Sequence, residues 1–206
     1  MNHSNGDVPH KHQDNVSSKM GMWLFLFTEL LLFGGLFLVY AVYRFQYQMQ
    51  FKLAAMELNT TIGTLNTIIL LTSSLTVALS ITALKKRNKF LSLIFLGITI
   101  FFAFSFMVNK FFEWSAKISH GIYPKSEIML NKTSGEILFF GLYYVMTGLH
   151  GLHIIIGIII LVFMFVFILR DKITADDSIK LENSGLYWHL VDLIWIFLFP
   201  LFYLLH

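Results

Sequence analysis

Cysteine is absent from this chain, and charged residues make up only 13% of it. Without cysteine there is no disulfide, no thiolate metal site and no cysteine-ligated iron–sulfur cluster, and the redox compartment is left unread. The shortage of charge is more informative, because soluble domains carry about 25% charged and about 45–50% apolar residues. A water-soluble monomer of 206 residues could not cover its surface with 15 basic and 12 acidic side chains set among 22 Phe. Disorder is excluded as well, since it needs low hydrophobicity and high charge. What the sequence does contain, 56% hydrophobic and 17% aromatic residues, points to an integral membrane protein forming one compact bundle.

A spanning helix needs about 20 mostly apolar residues. Five stretches qualify, near 22–43, 60–84, 90–114, 137–169 and 185–205. The apolar runs are continuous, which disfavours the dyadic pattern of a β-barrel. The expected fold is therefore all-α, a single five-helix membrane domain over 20–206. A mobile polar tail, 1–19, with His3, His10 and His12, precedes it. The third stretch is expected to continue as helix past Glu113, which would sit with Trp114 at the membrane interface. The fourth is longer than a perpendicular crossing needs, so tilt or protrusion is expected. Arg44–Leu58 reads as a turn or interfacial segment offering Phe45, Tyr47 and Phe51 to the headgroups. Ser119–Ser134, with Gly121 and Pro124, is the longest loop. Pro200 is expected to kink the last helix or open its final turn. No internal repeat is visible, which disfavours an inverted-repeat transporter.

Orientation follows from Lys and Arg in the short loops. With the N-terminus inside, the inner segments hold nine and the outer segments six. The cluster Lys85, Lys86, Arg87 and Lys89 is the strongest vote for an inside N-terminus and an outside C-terminus. This topology accounts for the net charge of +3 and gives no argument for nucleic acid.

Ionisable groups at bilayer depth cost on the order of 2.5–3.5 kcal/mol and need a reason to be there. Glu29 in the first span and Asp192 in the fifth lie at similar depth, roughly 10–13 Å from the inner end by helix rise. His189 shares the face of Asp192 at i, i+3. His150 and His153 are spaced likewise in the fourth span, beside Thr147, Gly148 and Gly151, whose glycines permit close approach of a neighbour. Depth makes His189 the expected partner of Glu29. Three readings are open at this point: a structural polar network, a metal or haem site, and a proton- or lipid-related role for Glu29.

Several of these segments together resemble subunit III of the haem-copper terminal oxidases, the cytochrome c oxidase family. Gly21-Met22-Trp23-Leu24-Phe25-Leu26-Phe27-Thr28-Glu29, followed by Phe33-Gly34-Gly35, resembles the family's carboxylate-bearing helix. Thr147-Gly148-Leu149-His150-Gly151-Leu152-His153 matches its Thr-Gly-x-His-Gly-x-His helix. Tyr187-Trp188-His189-Leu190-Val191-Asp192 matches its C-terminal helix, and Phe112-Glu113-Trp114 resembles the end of the helix between them. The matches keep the family's order across nearly the whole membrane region.

The resemblance implies an accessory subunit with no catalytic residue, no metal and no cofactor of its own, the haems and copper lying in partner subunits. It implies packing on subunit I, with subunit II and a small subunit IV in the same complex, bound phospholipid, and support of proton uptake and active-site stability. Glu29, His189 and Asp192 would be lipid- or proton-related, and Thr147, His150 and His153 an intramembrane polar network. The long form of the family has seven spans, and this chain starts where its third would start, so the lipid-holding cleft must be completed differently. The five-span form implies a bacterial inner membrane. The alternatives are a quinol oxidase subunit III or a nitric-oxide-reductase-associated relative and, from another class, a membrane haem-b anchor or a transporter.

Overall fold

A computed structural model describes residues 8–123, 126, 129 and 131–205, with backbone only for 8–16 and 176. The described residues form six α-helices and no strand: α1 Val8–Gln46, α2 Gln48–Met56, α3 Thr60–Lys85, α4 Lys89–Ser119, α5 Ser134–Leu169 and α6 Ile179–Tyr203. A short 3-10 turn, Ala175–Asp177, precedes α6. Five of the helices are long and apolar enough to cross a membrane, and they coincide with the five expected stretches. The boundaries differ at the ends. Helix α1 begins at Val8, inside the segment expected as tail, α4 continues to Ser119, and α6 begins at Ile179. His3 and Pro124 lie outside the described residues, and His10 and His12 are described by backbone alone.

Helix α6 is the hub. More than half of its most apolar stretch is buried (56%), against 11% for α1, which lies at the edge of the bundle. Small polar side chains carry the helix contacts, because apolar burial gives little drive for association inside lipid. Between α3 and α4, Thr76 meets Thr99 at 2.8 Å, Ser80 meets Ser92 at 3.0 Å, and Asn109 donates to Asn66 at 3.0 Å. Between α3 and α6, the indole N–H groups of Trp188 and Trp195 donate to Ser73 and Thr67, each at 3.0 Å. Gly157 of α5 makes room for Trp188: a Cβ there would stand 2.8 Å from the indole.

Helix ends are closed by their own residues. Asn59 and Asn88 accept first-turn N–H groups at the starts of α3 and α4, and Thr133 with Glu136 forms a capping box for α5. Arg87, Gly121 and Asp171 take positive φ just past α3, α4 and α5. In each case the following N–H bonds back to the carbonyl five residues earlier, the Schellman arrangement. Helix α6 continues through Pro200 to Tyr203. Two of its last carbonyls, free of helix partners, are taken from outside. Tyr40 of α1 donates to that of Leu201, and Thr60 of α3 to that of Tyr203.

The segment Arg44–Leu58, expected as a turn or interfacial segment, is helical over Gln48–Met56. Its Phe51, Ala54 and Ala55 are buried at i, i+3, i+4 spacing. Phe51 packs edge-on against both Tyr40 and Phe139 and does not face the headgroups, whereas Phe45 is exposed.

Candidate functional site

The carboxylate of Glu29 on α1 lies 2.9 Å from Nε2 of His153 on α5. Nδ1 of the same ring is 2.8 Å from the Leu149 carbonyl oxygen. A carbonyl oxygen only accepts, so Nδ1 carries a proton. A hydrogen bond between Nε2 and the carboxyl then needs one more proton, on the imidazole or on Glu29. The pair joins a carboxyl and an imidazole in a mostly buried position, with side-chain exposures of 9% for His153 and 15% for Glu29. Phe33 stands edge-on to the His153 ring, and Tyr187 of α6 donates to the His153 carbonyl at 3.0 Å. The site thus ties together α1, α5 and α6.

The expected pairing of Glu29 with His189 does not occur. His189 is half-buried on α6, and its Nδ1 sits 2.6 Å from the Ser74 hydroxyl of α3. Equal depth along two helices says nothing about azimuth, and α6 turns His189 toward α3. Asp192 is buried on α6 beside Ser74 of α3, the same hydroxyl that His189 meets.

Thr147, His150 and His153 share one helix but point to different surroundings. Thr147 donates back to the Tyr143 carbonyl of its own helix at 2.6 Å. His150 is fully buried, stacked on Trp195 and edge-on to Phe106, with neither ring nitrogen hydrogen-bonded among the described residues. Of the three, only His153 makes a side-chain hydrogen bond to another helix among the described residues. Among the described residues, no three His, Asp or Glu side chains converge as a metal site would require.

A second cluster was not legible as such in the sequence. Lys110 and Glu113, the latter expected at the interface, are both buried on α4. Lys110 donates to Glu113 at 3.1 Å, to Tyr143 at 3.0 Å and to Tyr203 at 2.8 Å. The other Glu113 oxygen accepts both tyrosine hydroxyls, at 2.6 Å from Tyr143 and 2.5 Å from Tyr203. All three ammonium protons and both phenols are used, which is the condition for tolerating a buried ion pair. The lysine also lies 4.8–5.4 Å from the ring centres of Tyr143, Trp195 and Tyr203. The available signal was the i, i+3 spacing of Lys110 and Glu113 in a run too apolar to be a loop. The tyrosines come from α5 and α6, at separations of 30 and 90 residues from Glu113.

Comparison with known proteins points one way. The family model described as cytochrome c oxidase subunit III matches residues 3–206. The cytochrome c oxidase subunit 3 of Thermostichus vulcanus is 31% identical over 202 residues, covering 96% of this chain and 92% of the relative. The probable quinol oxidase subunit 3 of Staphylococcus saprophyticus is 25% identical over 205 residues, covering 100% and 97%. The haem-copper oxidase subunit I+III of Aeropyrum pernix is 29% identical over 205 residues; the match covers 97% of this chain but only 24% of that longer protein.

Proposed function

We propose, for a chain that belongs to the cytochrome c oxidase subunit III family, that it is the accessory, non-redox subunit of a proton-pumping respiratory cytochrome c oxidase. The match from residue 3 to residue 206 carries this reading, because it takes in all five membrane-crossing helices. In this reading the haems and copper reside in partner subunits, and the chain packs on subunit I in a complex that also holds subunit II and a small subunit IV. The subunit I+III of Aeropyrum pernix supports the first contact, since that protein joins the two in its name and in one polypeptide. The chain would sit in a bacterial inner membrane with its N-terminus inside, bind phospholipid, and support proton uptake and active-site lifetime. The buried contact of the Glu29 carboxyl with the His153 imidazole supports the last role, since both groups can exchange protons.

Affinity purification of the tagged chain from its native membrane tests the assignment. A large haem-bearing multi-spanning partner and oxygen consumption are expected. Isolation of the chain alone, or with a stoichiometric Soret band of its own, would sink it. The Staphylococcus saprophyticus relative favours a second reading, a quinol oxidase. Oxygen uptake by the purified complex with reduced cytochrome c, and none with quinol, would decide against that second reading.

A further inference from the structure

Five tyrosines donate a hydrogen bond from the phenol among the described residues, and two of them differ from the rest in what accepts it. Tyr40, Tyr144 and Tyr187 donate to the backbone carbonyls of Leu201, Ile122 and His153. Tyr143 and Tyr203 both donate to Oε1 of Glu113, at 2.6 and 2.5 Å. A carbonyl oxygen accepts a hydrogen bond but is too weak a base to keep the proton, whereas a carboxylate keeps it. The difference bears on electron loss. A phenol that gives up an electron becomes a strong acid, so its oxidation is hard unless the proton leaves at the same time. Of the five, only Tyr143 and Tyr203 have a base in place to receive it.

Routes for the electron and for the proton both lead away from this pair. Tyr203, Tyr143, Tyr144 and Trp114 follow one another with ring centres 5.4–6.4 Å apart, close enough for fast electron exchange. The first two are buried and the last two partly exposed, and Trp114 lines a cavity of about 500 Å³ between α4 and α5. Glu113 lines a different cavity of about 500 Å³, together with Asn59, Lys117 and His120, and His120 is exposed past the end of α4. Electron loss adds one positive charge to a buried cluster, and release of the proton through that cavity removes it again. We propose that Tyr143 and Tyr203 are a redox-active phenol pair that traps one-electron oxidants of the oxygen-centred radical class. Such a radical takes one electron from the Trp114 indole and becomes its closed-shell anion. The indole is refilled through Tyr144 from Tyr143 or Tyr203. There the O–H bond breaks, the proton passes to Glu113, and a neutral phenoxyl radical faces a carboxylic acid. Lys110 donates to both phenol oxygens, at 3.0 and 2.8 Å, and its N–H groups stay on the phenoxyl oxygen. The inference rests on this cluster and not on which oxidase the chain serves.

Flash oxidation of the purified full chain in detergent micelles with photogenerated tris(bipyridine)ruthenium(III), followed by freeze-quench electron paramagnetic resonance, tests it. A trapped tyrosyl signal is expected. At high field its low-field edge should carry the shift of a phenoxyl oxygen that accepts hydrogen bonds, since Lys110 donates to both oxygens. That readout needs no variant. The double variant Tyr143→Phe/Tyr203→Phe should lose most of the signal, with helix content checked by circular dichroism. Trp114→Phe should lose most of it too, with both phenols in place. Tyr40→Phe and Tyr187→Phe should keep it, because their phenols face carbonyls. A signal without the hydrogen-bond shift, a signal that survives the double variant or Trp114→Phe, or one that falls as far in Tyr187→Phe would each overturn the inference. So would a radical that stays on tryptophan and never reaches tyrosine.

Discussion

Glu29 can be changed to an amide without losing its bond to His153, because an amide N–H donates to Nε2 as a carboxyl O–H does. Glu29→Gln is therefore expected to leave the haem and copper content of the complex at the wild-type level. Glu29→Leu strands the buried imidazole at about 1–3 kcal/mol and should lower the melting temperature and yield of the complex. Loss of haem from the Gln variant, by pyridine haemochrome assay, would contradict this. The Lys110–Glu113 pair answers differently. Lys110→Met leaves a carboxylate buried with two phenols and is expected to cost about 3–5 kcal/mol. Lys110→Met combined with Glu113→Gln should cost clearly less than the sum of the two single changes, measured as a double-mutant cycle on unfolding in detergent. Additive costs would show that the two side chains do not act together.

At the scale of the element, the bundle is registered by small residues facing large ones. Gly157 receives the Trp188 ring, and Gly63 lies under Tyr203 and Phe199. Gly157→Val would press on an indole that is also held by Ser73, so overpacking of about 1–3 kcal/mol is expected, read as a lower thermal midpoint. Gly151 has open space, and Gly151→Ala should leave that midpoint unchanged. Equal effects at the two positions would mean that contact with the indole is not what fixes Gly157. Helix α2 shows why element boundaries were harder to read than spans. Its nine residues carry a buried stripe of only three, Phe51, Ala54 and Ala55, and two of those are alanines.

For the molecule as a whole, the absence of cysteine makes topology directly measurable. Lys86→Cys, in the α3–α4 turn, is expected to react with an impermeant maleimide from the cytoplasmic side alone. His120→Cys, exposed past the end of α4, should react from the opposite side alone. The reverse pattern would overturn the inside N-terminus. Lys110 was one of the six outer cations in the charge count behind this prediction, but it is buried in α4, and without it the count is nine inner against five outer, a wider bias toward the inside N-terminus. Helix α1 is the least buried of the five membrane-crossing helices. It is held through Glu29, Phe33 and Tyr40.

Hydrophobic run length alone determined the number of crossing helices, because a bilayer sets one thickness and each residue adds one fixed rise. The ionisable residues at depth were legible for the same reason, since any charge inside such a run stands out. Their partners were not. Whether Glu29 meets His153 or His189 depends on how each helix is rotated about its axis, and depth carries no information on that. The Lys110–Glu113–Tyr143–Tyr203 cluster depends on three helices converging, and two of its members are tyrosines indistinguishable in sequence from interfacial ones. Tertiary packing decided those pairings, because only the packed bundle brings groups from separate helices within hydrogen-bond reach where water cannot substitute.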